Sequence, residues 1–360
     1  MTSTWQSLPE RSNTFWLQTI TWIALRCGRG ISRLLLYPIT AYFLIFQNRT
    51  LPASRRYLHT VLNRKPDWRD IFRQYHTFAC TLLDRLFVLS DQDHRLDIQV
   101  HGLDVLERYA SHEKGCLLVG SHLGSFEIIR AVGRTRRGLR VKALMYAEAT
   151  PQITRLYRSL NPSLHEDIIP VGGPATLVGL DGFVAAGGLL ALLGDRCVTG
   201  DKRLQCDFFG EPAWFPQTPV VLSQILKVPM VFFVCLHTGW GRYEVYFEEL
   251  ASYQPINRAE RPAEAQRVMQ RYADRLQHYC RKAPYNWFNF HDVWQAHEPY
   301  PPHGPGASKR VAHRSCAGQP VALLRNRTGK ECNPPHNRRP DSANTVLPTC
   351  PSPGNPGAFC

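Results

Sequence analysis

Hydrophobic and polar positions change rhythm twice along this chain of 360 residues. The first 46 residues hold two apolar runs, 15–25 and 34–46, with Arg26, Arg29 and Arg33 between them. Neither run has the roughly 20 apolar residues that a spanning helix needs. Trp16, Trp22, Tyr37 and Tyr42 prefer a lipid–water boundary, and the arginines can snorkel to phosphates. The pattern therefore predicts a helical anchor lying on a membrane, with a buried helical hairpin as the alternative. Residues 49–87 continue as amphipathic helix, interrupted at Lys65-Pro66, with Phe72, Tyr75, Phe78 and Leu82 at three- and four-residue spacing.

From Leu96 the period shortens to two, and strand-like and helix-like stretches then alternate. Strands are expected at 96–100, 115–120, 139–145, 167–171, 189–194 and 229–236, and an antiparallel-type edge strand at 243–247. Helices are expected at 103–111, 124–134, 151–160, 174–186, 218–226 and 263–282. Such alternation builds an α/β sheet with crossover helices on its faces, and such sheets bind ligands beyond the carboxyl ends of their strands.

Composition sharpens this picture. The formal net charge is +14, yet residues 76–300 hold 24 basic and 24 acidic side chains, so the excess sits at the two ends. A neutral middle offers no groove for a polynucleotide, and a basic N-terminal region suits anionic headgroups. The 11 cysteines include no Cys-x-x-Cys pair, which argues against a zinc ribbon or a disulfide framework. No secretory signal pattern is read at the N-terminus. Residues 301–360 carry 11 of the 27 prolines and neither tryptophan nor tyrosine, so a disordered tail is expected there. Three segments follow: anchoring helices over 1–48, an α/β domain over 49–298, and a Pro-rich basic tail over 299–360.

Candidate chemistry gathers where the strand at 115–120 breaks. Gly120, Ser121, His122, Gly124, Ser125 and Glu127 occupy that break, with Ser121 as a possible N-cap and Gly124 permitting close approach to backbone. Residues five apart cannot share one helix face, so His122 must stand outside the helix if its imidazole is to meet Glu127. With Glu127 on one ring nitrogen, the other would serve as a general base; the plainer reading is a capping histidine near an exposed glutamate. Asp195-Arg196 follows another strand end, where Arg196 could clamp a phosphate or thioester-bearing arm with Asp195 holding it. The stretch Phe208-Phe209-Gly210-Glu211-Pro212-Ala213-Trp214-Phe215-Pro216 is bulky for a turn-rich loop and suggests a cover over an apolar ligand. The aromatics of 284–290 are expected to lock the last helix to the core. Arg130, Arg134, Arg136, Arg137, Arg140 and Lys142 form a basic run without acids: a solvated face, or a docking surface for an acidic carrier protein or lipid phosphate.

Four blocks in order carry a resemblance: Ser-His-Leu-Gly-Ser-Phe-Glu at 121–127, Leu-Leu-Gly-Asp-Arg at 192–196, the aromatic stretch at 208–216, and Pro-Tyr-Asn-Trp-Phe-Asn-Phe at 284–290. Over residues 14–295 the chain resembles the bacterial late acyltransferases of lipid A biosynthesis, lauroyl/myristoyl type, within the lysophospholipid acyltransferase superfamily. The resemblance implies a glycerol-3-phosphate-acyltransferase-like mixed sheet flanked by helices, behind an N-terminal membrane anchor. It implies location at the inner membrane, with the catalytic domain on the cytoplasmic side. It also implies a fatty acyl thioester donor, on acyl carrier protein or coenzyme A, a membrane lipid acceptor, and no metal or further cofactor. His122 would be the base and Glu127 its orienter, with Ser121, Gly124, Ser125, Asp195, Arg196, Phe209 and Gly210 in contact with substrate. Gln217-Thr218-Pro219 departs from the family, which often has glycine before that proline. A thioesterase on the same turn and a silent membrane-surface scaffold are the competing readings.

Overall fold

The computed structural model describes residues 14–46, 50–111, 114–135, 139–146, 168–171, 179–197 and 201–295. Three helices come first: α1 (Thr14–Phe46), α2 (Leu51–Leu62) and α3 (Trp68–Leu89). In α1 the helical path breaks at Gly28, whose φ is 79°, so the arginines expected to separate two apolar runs sit at and just after a kink. Asp67 caps α3 and receives the Asp70 N–H at 2.9 Å, while the Asp70 carboxylate returns a bond to the Asp67 N–H. Asn63 at positive φ ends α2, Lys65-Pro66 lies in the link, and the aspartates start the next helix.

A seven-stranded sheet follows, built from β1 (Asp97–His101), β2 (Leu117–Gly120), β3 (Val141–Tyr146), β4 (Ile168–Val171), β5 (Leu189–Leu193), β8 (Met230–Gly239) and β9 (Arg242–Ala251). Its order is β1-β9-β8-β2-β5-β3-β4, and every neighbouring pair is parallel except β8–β9. The strand expected at the sheet's antiparallel edge is thus interior, because β1 adds to it in parallel. Helices α4 (Leu103–Ser111) and α5 (Ile128–Thr135) cover one face; α6 (Leu180–Ala185), α7 (Thr218–Leu226) and α8 (Arg261–Lys282) complete the helical set among the described residues. Alternate residues of β2 serve opposite faces. Leu117 and Val119 join the core formed with Phe232, Tyr272 and Leu276, whereas Leu118 joins Ile128, Ile129 and Phe233. This two-sided burial is why β2 reads as an unbroken apolar run.

The stretch 208–216, expected as a loop over a ligand, belongs to a hairpin of β6 (Arg203–Phe208) and β7 (Glu211–Pro216). Phe208 and Phe215 are fully buried core residues, and the side chains of Gln266, Gln270 and Gln277 on α8 bond to the β6 backbone and the turn. The turn is Phe209-Gly210, both at positive φ.

Among the described residues no single helix is long and apolar enough to cross a membrane. The pair Gly28–Phe46 and Leu51–Leu62 has the composition of a broken span, bent by 109°. The helix expected at 151–160, the first part of that at 174–186, and the tail at 299–360 lie outside the described residues.

Candidate active site

The site is assembled by strand register. Gly120 at the end of β2 pairs with Leu193 at the end of β5. His122 and Asp195 each stand two residues beyond those ends, so the parallel pairing brings them side by side. His122 Nδ1 lies 2.8 Å from Asp195 Oδ1, and the His122 backbone N–H donates to Asp195 Oδ2 at 2.9 Å. Trp287 Nε1–H donates to the same Oδ2 at 2.9 Å. An ionised carboxylate only accepts, so the Nδ1 proton points at Asp195 and Nε2 is left as the imidazole's acceptor. Nε2 has no partner among the described residues, and the ring is 22% exposed.

The electrostatics match this assignment. Burial drives the His122 pKa down and the Arg196 charge adds to that, against a raising influence from Asp195; the net shift is below the ordinary histidine value. For Asp195 burial acts to raise the pKa, but His122 and Arg196 outweigh it and hold it at about 2. Near neutral pH the pair is a neutral imidazole beside a carboxylate.

The carboxylate that meets the imidazole is therefore Asp195 and not Glu127. Glu127 is buried in the same turn with an Oε1 3.7 Å from Arg85 Nε on α3. The turn explains this: Gly124 (φ 77°) lies so close to β8 that a Cβ would collide with the Cys235 carbonyl, and Ser125 N–H donates to that carbonyl at 2.9 Å. The close packing on β8 accounts for glycine at position 124. The helix then begins at Ile128, whose N–H bonds Ser125 O, so Ser121 does not cap it and Glu127 sits ahead of the first helical residue. Ser121 and Ser125 are both buried beside His122, and the Ser125 hydroxyl has no partner among the described residues.

Arg196 is likewise not a free clamp. Its Nε donates to Asn289 Oδ1 at 3.0 Å, and its Nη2 to the carbonyls of Phe288 and Asn289 at 3.1 and 2.8 Å. Burial lowers its pKa to about 10, opposed by Asp195, so it stays charged at neutral pH. Phe209 and Gly210 lie at the β6–β7 turn, where Phe209 packs edge-on to Phe208 and beneath the Arg281 guanidinium. A small cavity of about 50 Å³ opens beside Arg196 between Cys197, Arg203, Trp214 and Asp292.

Sequence reasoning missed the strap at 284–290 as part of the site. Phe288 N–H donates to His122 O at 2.8 Å, Gly124 N–H to Asn286 O at 2.8 Å, and Asn289 Nδ2 to Asp195 O at 3.0 Å. Asn286 Oδ1 accepts from His237 N–H at the end of β8. The His122 turn and the ends of β5 and β8 are thus stitched together by one segment. The stretch stood out in sequence by its aromatic density, but its polar members Asn286 and Asn289 carry most of these bonds. Tyr272 on α8 adds a bond from its hydroxyl to Gly120 O at 2.8 Å, satisfying the carbonyl at the end of β2.

No curated protein matches the chain. A histidine–aspartate pair at adjacent strand ends, strapped by an aromatic segment, accords with the order of sequence blocks. With a family model matching residues 2–296, the chain belongs to the bacterial lipid A biosynthesis acyltransferase family and is an acyltransferase acting on lipid.

Proposed function

We propose that the protein moves a fatty acyl group from a thioester, carried on acyl carrier protein, to a hydroxyl of a lipid acceptor at a membrane surface, with His122 as general base. The observation that carries this reading is the unengaged Nε2 of a neutral imidazole whose other nitrogen is fixed on Asp195. The acceptor hydroxyl gives its proton to Nε2 as its oxygen attacks the thioester carbonyl. The tetrahedral intermediate expels the thiolate, which takes the proton from the imidazolium, so an ester bond replaces the C–S bond. Base assistance of this kind is worth about 10²- to 10⁴-fold. Asp195 stabilises the transient imidazolium without taking its proton. Glu127 with Arg85 holds the turn against α3.

The membrane surface is supported by α1, whose outward side chains Leu34 (70% exposed), Tyr42, Ile45 and Phe46 have no cover in the fold. We assign the donor to the cytoplasmic side, where acyl thioesters are made.

The test is incubation of membranes holding the protein with acyl carrier thioester and candidate acceptors, analysed by mass spectrometry. An acylated lipid that disappears with His122→Ala is the expected result. Unchanged product with that variant would overturn the assignment, and free fatty acid without acylated lipid would make the protein a thioesterase.

A further inference from the structure

The connection from β8 to β9 runs through Thr238-Gly239-Trp240-Gly241, and Trp240 is 75% exposed, the most of any large apolar side chain among the described residues. The tip that presents it is firmly held. Asp97 N–H donates to Gly241 O at 2.9 Å and the Thr238 hydroxyl to Arg242 O at 3.3 Å. The Arg33 guanidinium of α1 lies 5.2 Å from the indole centroid, and a Cβ at Gly241 would collide with the guanidinium of Arg29. Both arginines are fixed in turn on Asp84 of α3, which is fully buried and 3.1 and 3.0 Å from them. Backbone bonds and two anchored arginines thus fix a turn whose one large side chain stays in water. Nothing in the folding of the chain gains from that exposure, because an indole covered by the fold would remove about 150–250 Å² from solvent.

The neighbours of Trp240 indicate what covers it. Arg33 belongs to α1, and one residue and one turn on from it Leu34 and Tyr37 are also exposed. Arg242 is exposed at the start of β9. An indole, the Arg242 guanidinium and aliphatic side chains, all exposed, match the layers of a lipid interface: the headgroup boundary, phosphates and acyl chains. Trp240 packs on Arg33 of α1, the helix that also presents Leu34 and Tyr37.

We propose that the Trp240 hairpin is a second lipid-contact element which, together with α1, holds the α/β domain on a phospholipid surface at two points and so fixes its orientation. This rests on the membrane reading of α1 given above. Because insertion of the indole is mainly apolar, the contact serves zwitterionic as well as anionic bilayers.

The experiment measures partition of the full chain onto vesicles of phosphatidylcholine, with and without 30 mol% phosphatidylglycerol (on the order of a cytoplasmic leaflet's anionic content). It compares the wild type, Trp240→Ala, Trp240→Phe and Leu34→Ser/Ile45→Ser. Trp240→Ala is expected to weaken partition on the order of tenfold on both vesicle types, with Trp240→Phe retaining most of it. The thermal midpoint in solution is expected to stay unchanged, since the side chain packs on little else. A wild type that ignores vesicles would remove the membrane reading itself. If the wild type binds and Leu34→Ser/Ile45→Ser releases it while Trp240→Ala binds as well as wild type, the hairpin proposal alone is overturned. A smaller particle for Trp240→Ala in size-exclusion chromatography would likewise overturn it, assigning the indole to a second copy of the chain.

Discussion

Asp195 holds His122 through both of its oxygens, Oδ1 on the ring nitrogen Nδ1 at 2.8 Å and Oδ2 on the backbone N–H at 2.9 Å. One carboxylate therefore fixes the position and the tautomer of the same residue. In Asp195→Asn the NH₂ must face either His122 Nδ1 alone or both His122 N–H and Trp287 Nε1–H; facing one donor costs less than facing two, so the imidazole is pushed to the wrong tautomer. We expect kcat to fall about 10³- to 10⁴-fold. The pH profile of kcat/KM separates this role from that of Glu127. The wild-type acid limb should lie below pH 6.5, the ordinary histidine value, because burial and Arg196 depress His122. Removing the Asp195 charge removes a raising influence, so the residual activity of Asp195→Asn should show an acid limb lower still. Glu127→Gln should leave the limb where it is, whatever its cost in rate, because Glu127 faces Arg85. An acid limb moved by Glu127→Gln would return Glu127 to the imidazole.

Trp287 tests the same pair from the other side. Its indole N–H is one of two donors on Asp195 Oδ2, and the ring is buried against Tyr57 and Phe208. Trp287→Phe keeps an aromatic ring and loses the donor. With less hydrogen bonding the carboxylate charge bears more fully on the imidazole, and the acid limb should move upward, opposite to Asp195→Asn. Loss of one bond to a charged acceptor predicts a fall in kcat of roughly tenfold. The smaller ring leaves a void, so a stability loss of about 2–3 kcal/mol by urea denaturation should accompany it. That loss alone would not displace a pH profile.

The two halves of this pair were unequally legible in sequence. His122 stands at a break between an apolar run and a helical stripe, a local pattern. Asp195 lies 73 residues on, and only the β2–β5 register, Gly120 opposite Leu193, says that the two strand ends are neighbours. Sequence places both residues at carboxyl ends of strands and cannot rank their partners, so it pairs His122 with the nearer carboxylate, Glu127, where the fold brings Asp195 to the imidazole. The β6–β7 hairpin escaped for a different reason. Its turn is Phe-Gly rather than Asn-Gly, and Pro212 and Pro216 fall inside the strand, both features that count against a hairpin. Contacts with α8 override those local preferences. The continuous apolar strands and the long amphipathic last helix were read correctly because burial on two faces, or on one stripe, is written directly in their periodicity.

Helix α1 is fastened to the domain by a buried charge cluster. Asp84 receives Arg29 and Arg33 and also the Tyr243 hydroxyl at 2.9 Å. Asp84→Ala leaves the buried Arg33 guanidinium, and the part-buried one of Arg29, without their carboxylate, and we expect a loss of roughly 3–5 kcal/mol in urea denaturation. Removing one stranded charge as well, in Asp84→Ala/Arg33→Met, should recover part of it. A double variant no more stable than the single one would show that the cluster contributes through packing and not through charge.

His237 beside this cluster should make the fold acid-sensitive. Its Nε2 lies 3.3 Å from Arg33 Nη2, a contact in which a neutral imidazole accepts and a protonated one repels. Burial, with Asp84 opposing and Arg33 assisting, brings its pKa down to about 4. In the unfolded chain it titrates near 6.5. Between those values the unfolded state binds a proton that the folded state does not, so stability falls as pH drops from about 6.5 to about 4. Below about 4 both states are protonated and this contribution stops changing. His237→Gln keeps an acceptor for Arg33 and cannot titrate. Urea midpoints measured at pH 7, 5.5 and 4.5 should therefore decline less steeply for the variant than for the wild type. His122, also depressed, contributes the same sign in both proteins and cancels in the difference. Equal slopes for the two proteins would mean that His237 takes up its proton in the folded state without losing Arg33.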